Sequence, residues 1–535
     1  RGQVDGGNKR GKACLFFGGG VGADMLVLTN AQMRAADKYT IEEKGVSSLT
    51  LMESAGRALA IEAEKLAEDG KILCVCGGGN NGGDGFVCVR HMTRAGRMPT
   101  PEVLCMAEKF SEDCERNRQA WKEMGGVCMT ELPQERYALI IDCLFGTGFH
   151  GKLTGKEKML VEWINEQKKR GAKVLSADIP SGVNGENGRV DGVAVCADVT
   201  LCIGEIKTGV LFNDGIDYAG KIKRADIGIQ LPQEEYATLT DRESVKGLLP
   251  VRKRNSHKGS YGKAAIVAGS EEYMGAAYLS AAACLRSGAG YTTLFVPKDL
   301  LPFYALKTPE ILLKRISEGG RYAFNEEGMR NLLAYDSIAY GMGMGASKEV
   351  FEGAKYLLEN YEGKLILDAD ALNSLAQFSD GKLLNLFKNK KCDVILTPHV
   401  KEFSRLSGLT VEEILQNSLS IAKEFALSSG VTLLLKNALS IVTDGEHTVI
   451  NAAGNAGQAK GGSGDVLAGV LAGLCAMGLS AYDGGVAAAY LVGKSAELAA
   501  KEIGQFSLTA TDLIAYLPRA FLFVTEDTDE DGGKE

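Results

Sequence analysis

Four glycine-rich stretches carry polar side chains at spacings suited to a phosphorylated substrate. Three lie in the first half: GGGNNGGDG at 77–85, DCLFGTGFHGK at 142–152 and SADIPSGVNG at 176–185. The fourth, NAGQAKGGSGDVLAGVLAGL at 455–474, lies in the second. Glycine lets backbone approach an anion closely, and amides at a helix start point toward it. GGGNNGGDG follows an apolar run and opens a helix, so its amides would form an anion cradle. A merely flexible loop is the alternative, but Asn-Asn and Asp between strand and helix favour the cradle.

In the second stretch, Gly146, Gly148 and Gly151 satisfy the GxGxxG spacing of dinucleotide-binding turns. The same residues with Lys152 nearly complete an NTPase phosphate loop, but Leu153 stands where Ser or Thr must hold magnesium. That loop is excluded, and GxGxxG alone is a short pattern that chance supplies. What remains is a phosphate-binding loop with Lys152 as a point charge. Asp178 and Ser181 fall at a strand end, where open α/β sheets bind ligands. Asp178 is therefore a candidate acid/base, or else caps the turn. In the fourth stretch a glycine-rich turn opens a long apolar helix whose amides can stabilise developing phosphate charge. Asp465 at that turn can take a proton from a substrate, a role compatible with capping the helix.

The elements that must position these residues follow from apolar periodicity. Residues 29–70 read as two amphipathic helices, the first capped by Thr29 or Asn30. Strands are predicted at 71–77, 101–107, 137–145, 172–179, 197–204 and 221–229, with the helix behind the first starting at Gly85. A polar segment, 233–262, reads as a link. A second series of strands is predicted at 263–270, 291–297, 337–343, 364–370, 392–398, 431–436 and 439–445. Alternating strands and helices imply parallel sheets covered on both faces. The fold class is α/β throughout, with a Rossmann-like three-layer αβα domain followed by a second αβα domain. No short repeat period is present.

With 535 residues the chain has room for two or three domains. Its composition is globular (45% hydrophobic, 24% charged), with 67 glycines and 11 prolines. Net charge is −8 without a long basic run, which argues against nucleic acid as a partner. Thirteen scattered cysteines without a CxxC pair suit reduced thiols in a cytoplasmic protein. The five histidines are too dispersed for a zinc site. Residues 1–24 lack an apolar signal core and read as a flexible leader or tag, with Met25 a natural start. Residues 466–482 are uncharged until Asp483 apart from their flanks, yet short, Gly/Ala-rich and directly after GGSGD, so a buried helix is expected and no membrane span. Residues 523–535 read as a solvated acidic tail.

NNGGDG, DCLFGTGFHGK and DIPSG, in this order on this scaffold, resemble the epimerase domain of NAD(P)H-hydrate repair enzymes over 25–235. The resemblance implies that Asn80, Asn81, Gly82, Gly83 and Asp84 hold substrate phosphate and ribose. It adds Gly146, Thr147, Gly148, Phe149, His150, Gly151 and Lys152 as a second substrate loop, and Asp178 as the substrate-binding acid/base. Asn81, Asp142 and Ser181 would coordinate potassium, for which hard oxygen ligands are suited. The family usually has proline where this chain has Gly78. In the second half, GGSGD is similar to the turn of ribokinase-like kinases. HKGSYGKAAIVAGS, EEYMGA, GMGMG at 341–345, LDADAL at 367–372, TPHVKEF at 397–403 and LLKNALSIV narrow this to the dehydratase domain of the same repair enzymes, 236–522. By that match Ala276, Gly343, His399 and Asp465 contact the hydrated nicotinamide nucleotide. Lys436, Asn437, Ala438, Leu439, Ser440 and Gly464 would bind the adenine nucleotide. Two departures stand out: Val400-Lys401 replaces Pro-Gly, and Asn437 replaces a glycine, where Asn tolerates the left-handed backbone.

The resemblance implies a bifunctional isomerase and lyase acting on NADHX and NADPHX, with potassium in the epimerase domain. Magnesium and ADP or ATP would serve the dehydratase domain. Asp178 would interconvert the R and S hydrates, and Asp465 would deprotonate the ring hydroxyl for phosphorylation, making phosphate the leaving group. The alternative is a ribokinase-like small-molecule kinase with an N-terminal non-catalytic binding module. Sheet proteins of this class often assemble, which leaves a homo-oligomer open.

Overall fold

Short apolar runs flanked by glycine become strands buried on both faces, which is what a helix-covered parallel sheet demands. The computed structural model describes residues 25–67, 69–97 and 99–526. The expected leader, and the expected tail from 527 onward, lie outside the described residues. The chain divides between Tyr236 and Ala237 into two units.

In the first unit the strands are β1 (Leu26–Leu28), β2 (Ile72–Cys76), β3 (Glu102–Leu104), β4 (Cys128–Met129), β5 (Leu139–Cys143), β6 (Lys173–Ala177), β7 (Val199–Ile203), β8 (Ile206–Lys207) and β9 (Lys221–Ala225). Seven of them form a sheet in the order β4-β3-β2-β5-β6-β7-β9. Every pairing in it is parallel. Side chains alternate as a period of two requires: Ile72, Cys74, Leu139 and Ile141 enter one core layer, while Leu73, Val75 and Ile140 enter the other. Helices α1 (Asn30–Lys38), α2 (Ser48–Leu66), α3 (Asn80–Arg94), α4 (Glu112–Glu123) and α5 (Gly155–Lys169) connect or cover the strands. Thr29 caps α1, with Gln32 closing a capping box.

Two features differ from the sequence reading. Pattern misses β1, β4 and β8, because two or three residues are too few to show a period. The helix behind β2 starts at Asn80, not Gly85, so Asn-Asn-Gly-Gly-Asp is its first turn. Helical glycine normally costs about 1 kcal/mol. Here it is required, since a Cβ on Gly82 would lie 1.9 Å from the Gly77 carbonyl oxygen.

The second unit holds β10 (Ala237–Leu239), β11 (Lys263–Val267), β12 (Tyr291–Pro297), β13 (Leu312–Ser317), β14 (Ser337–Tyr340), β15 (Lys364–Leu367), β16 (Asp393–Leu396), β17 (Thr432–Leu435), β18 (Ser440–Thr443) and β19 (Thr448–Asn451). Their order is β13-β12-β11-β14-β15-β16-β17-β18-β19-β10. Pairing is parallel except for β17–β18 and β18–β19, which form an antiparallel meander. Helix Ser463–Ala476 is buried at every residue from Val466 onward and packs in one core with Ile266, Ala339 and Ile366. That explains its uncharged sequence, and among the described residues no helix is long and apolar enough to cross a membrane.

The polar stretch 233–262, predicted as a link, instead supplies β10 and helix Arg242–Leu248 to the second unit. Val245 is fully buried there, and Thr240 Oγ1 bonds Asn451 Oδ1 at 3.1 Å. Ala237, Leu239 and Val245 are buried, and with one buried polar contact they anchor a segment that composition marks as solvated. The last helix runs to Thr525, into the stretch expected as tail, because Leu517 and Val524 are buried. The described cysteines are all free, and most are buried.

Candidate active sites

After β2 the chain builds outward to β3, and after β5 it builds the other way to β6, so the strand order reverses between these neighbours. Open α/β sheets bind ligands at such a reversal. A cleft of about 610 Å³ lies there, lined by Gly78 to Asn81, Asp84, Leu144 to Phe149 and Asp178, and closed by Met33, Asp37 and Met52 from α1 and α2. Close backbone approach demands its glycines: a Cβ on Gly77 would sit 2.1 Å from the Leu144 carbonyl oxygen. At Gly78 it would sit 2.0 Å from the Lys109 carbonyl oxygen, so glycine suits this chain where the family pattern has proline.

Asp142, fully buried at the end of β5, ties the loops together. Its Oδ1 accepts the Ser181 hydroxyl (2.6 Å), and its Oδ2 accepts the Ser181 amide and Ser176 hydroxyl (both 2.9 Å). Burial still holds its carboxyl above the ordinary range, against these hydrogen bonds. Asn81 Nδ2 donates to the Phe145 carbonyl (2.9 Å), while Asn81 Oδ1 is buried without a partner among the described residues. An orphaned oxygen beside a carbonyl, the Ser181 hydroxyl and a carboxylate is a set of hard donors that fits a cation.

Asp178 follows β6 in the left-handed region (φ 68°), a strained backbone that an aspartate tolerates. One of its oxygens pairs with the Lys207 ammonium and accepts the Ile203 amide. The other faces Gly146, where a Cβ would stand 3.2 Å away. Lys207, 1% exposed, also donates to the Ile203 carbonyl. Burial pushes Asp84 well above the carboxylate range, with repulsion from Asp178 and Asp37 adding to it. Burial likewise raises Asp37 to about 6; Lys207 opposes that and Asp178 reinforces it.

The structure thus brings Asn80, Asn81, Asp84, Gly146, Thr147, Gly148, Phe149 and Asp178 to one cleft. Gly82 and Gly83 are buried beneath it in the first turn of α3. His150, Gly151 and Lys152 are exposed and do not line it, and the Lys152 stem lies beside Gly192. Sequence reasoning missed Lys207 and Asp37. Asp37 had a signal: it lies four residues after buried Met33, a carboxylate beside the apolar stripe of an amphipathic helix.

The second unit reverses its strand order between β11 and β14. Gly343, after β14, has φ 63°, and a Cβ there would lie 2.8 Å from Ala276 Cβ. Ala369 in LDADAL is also left-handed (φ 50°) and lies between two acids. Asp370 accepts the Gly345 amide (2.8 Å), and Asp368 accepts from the Lys436 ammonium (2.9 Å). A Cβ on Gly464 would approach Lys436 Nζ to 3.3 Å, so the glycine turn and this ion pair adjoin. Asp465 stands next, in the first turn of helix Ser463–Ala476. Burial raises Asp465 to about 7; Asp368 adds to that and Lys436 opposes it. Burial works against the Lys436 ammonium, but Asp368, Glu402 and Asp465 outweigh it and hold its pKa above the usual lysine range.

His399 caps helix Val400–Ser407, its Nδ1 accepting the amides of Lys401 (3.1 Å) and Glu402 (3.3 Å). Burial, then Lys436 and Arg405, lower its pKa, which suits a neutral ring. The departure Val400-Lys401 forms the first helical turn, with Lys401 exposed. Asn437 begins the turn from β17 to β18 and is absent from the residues with positive φ, so the left-handed backbone expected there is not used. Asp368 and Glu402 lie within the motifs LDADAL and TPHVKEF, where local pattern assigns them no role of their own. Their roles depend on Lys436, which is remote in sequence.

Residues 264–519 match the family described as NAD(P)H-hydrate dehydratase, and residues 48–209 match the YjeF-related protein N-terminus. The bifunctional NAD(P)H-hydrate repair enzyme Nnr of Thermofilum pendens is 33% identical, covering 94% of this chain and 97% of that protein. That of Moorella thermoacetica is 33% identical, covering 94% and 98%. Among solved structures, an ADP/ATP-dependent NAD(P)H-hydrate dehydratase from Bacillus subtilis, co-crystallised with ATP and magnesium, is 30% identical over 54% of this chain and 98% of its own, with a TM-score of 0.47.

Proposed function

The chain belongs to the family of bifunctional NAD(P)H-hydrate repair enzymes, and on that footing we propose that its first unit interconverts the R and S hydrates of NADH and NADPH while its second dehydrates the S form. The observation that carries this reading is the position of Asp465. It is an aspartate raised to about 7, without an ion-pair partner among the described residues, at the glycine-rich N-terminus of a buried helix. A base with a pKa near the working pH combines a useful ionised fraction with proton-accepting power.

In the second unit Asp465 takes the proton of the ring hydroxyl, whose oxygen attacks the terminal phosphoryl group of ADP or ATP. Amides of 461–464 and the Lys436 ammonium stabilise the charge that develops on that group. The carbon–oxygen bond then breaks, phosphate leaves with the electron pair, the ring nitrogen assists, and loss of a neighbouring ring proton restores the dihydropyridine. Lys436 to Ser440 and Gly464 hold the nucleotide, and Ala276, Gly343 and His399 hold the hydrated ring. Magnesium would arrive with the nucleotide phosphates, whose charge it neutralises.

In the first unit Asn80, Asn81, Gly82, Gly83 and Asp84 present the start of α3 to the substrate phosphate and ribose. Gly146 to Phe149 form the facing wall, and Asp178 exchanges the hydroxyl proton. Asn81, Asp142 and Ser181 would hold potassium, a fit supported by the unpartnered Asn81 Oδ1. When bound, the ion supplies a fixed positive charge beside the substrate oxygens. Free, mostly buried thiols support work in the cytoplasm.

Incubating the purified protein with NADHX and either ADP or ATP tests the reading. Return of NADH absorbance with full consumption of both epimers is expected. A stable phosphoester without NADH would instead identify a small-molecule kinase.

A further inference from the structure

One ammonium, that of Lys207, faces three carboxyl groups in the first cleft: Asp178, Asp84 and Asp37. Lys207 is committed to Asp178. Burial, with repulsion between the carboxylates, favours the neutral form of the other two, so a proton held on one of them is at hand for a substrate. Asp84 is 8% exposed, within the first two turns of α3, where exchange with solvent is restricted. Asp37 is half-buried, lines the cleft from α1, and has no hydrogen-bonded or ion-paired partner among the described residues. Its carboxyl is therefore available to a ligand.

We propose that Asp37 is the second proton-transfer residue of the epimerase cleft, working with the Lys207-paired Asp178 from a different element. The proposal rests on the epimerase reading. Inversion at the carbon bearing the hydroxyl needs an acid as well as a base, whichever route is taken. In ring opening, Asp178 removes the hydroxyl proton and the carbon–nitrogen bond breaks with its pair on nitrogen. Asp37 protonates that nitrogen, and carbon and oxygen become a carbonyl. After rotation, Asp37 takes the nitrogen proton back, nitrogen attacks the other carbonyl face, and Asp178 returns its proton to oxygen. In reversible water loss, Asp37 protonates the departing hydroxyl and Asp178 deprotonates the water adding to the opposite face. Ring opening restores both residues; water loss ends with Asp37 ionised and Asp178 protonated, and return of that proton from Asp178 to Asp37 through solvent resets the pair.

The test uses the full chain with epimerically pure R-NADHX, following its conversion to S. Wild-type protein must convert it; if it does not, the epimerase reading itself fails. Asp37→Asn is expected to lower kcat for conversion on the order of 10²-fold with KM nearly unchanged. Dehydration of S-NADHX should stay at the wild-type rate. Asp37→Ala should lose conversion similarly and regain part of it with added formate, a rescue that a structural role would not show. Asp37→Asn retaining conversion within about twofold overturns the proposal, as does Asp37→Ala that formate does not rescue.

Discussion

The two clefts are built alike and charged differently. Each lies at the carboxyl edge of a sheet where strand order reverses, and each pairs a largely buried lysine with an aspartate that follows a strand. Each also places a non-glycine residue at positive φ in or next to that pair, Asp178 itself in one and Ala369 in the other. In the first unit the lysine partners the proposed acid/base itself. In the second, Lys436 partners Asp368 and leaves Asp465 without an ion-pair partner among the described residues, its proton affinity set chiefly by burial. The same device gives the proposed acid/base its cation partner in the first cleft and gives that partner to a neighbouring aspartate in the second. What differs is which aspartate the cation reaches.

The largest expected effect separates the two chemistries. Asp465→Asn should cut dehydration by about 10²- to 10⁴-fold and spare epimerisation, and Asp178→Asn should do the reverse. Separate assays on single epimers measure this, and a variant that lost both activities equally would break the division of labour. Removing the buried cation comes next. Lys207→Met leaves Asp178 buried without its partner and should destabilise the first unit by about 3–5 kcal/mol, read as an earlier transition in chemical denaturation. The glycines sharpen the contrast further. Gly82→Ala drives a Cβ into backbone at 1.9 Å and should cost about 1–3 kcal/mol. Gly464→Ala meets only side-chain ends, Lys436 Nζ at 3.3 Å and Asp368 Oδ2 at 3.8 Å, so it should weaken nucleotide use more than stability, seen as a raised KM for ADP or ATP.

The smallest effect is a slope. Asp465 acts as a base only when deprotonated, and burial raises its pKa to about 7. Dehydration should therefore rise with pH through about 7 and fall below it. In Asp465→Asn the residual rate should lack that limb. An unchanged limb in the variant would assign the titration to another group.

Much of this was legible locally. Glycine-rich turns after apolar runs marked both reversal points, because close backbone approach must be met by glycine wherever the fold goes. Asp178 and Asp465 stood out for the same reason, as carboxylates beside such turns. The polar stretch 233–262 misled, since buried Ala237, Leu239 and Val245 outweigh a run of exposed charges. The start of α3 misled as well, since glycines that discourage a helix in isolation are demanded by packing on Gly77.

By itself, the sequence determined the α/β alternation, the two glycine-rich sites and the family to which they belong. These follow from period, turn chemistry and motif order, all written along the chain. Only the tertiary structure decided which charges meet. Lys436 is 68 residues from Asp368, and Asp37 comes from a helix far ahead of Asp178 and Lys207. Proton affinity depends on burial and neighbouring charge, and both are properties of the assembled sheet edge rather than of any segment. For that reason Asp37 and Lys207 became visible only once the sheet had brought α1, β6 and β8 to one cleft.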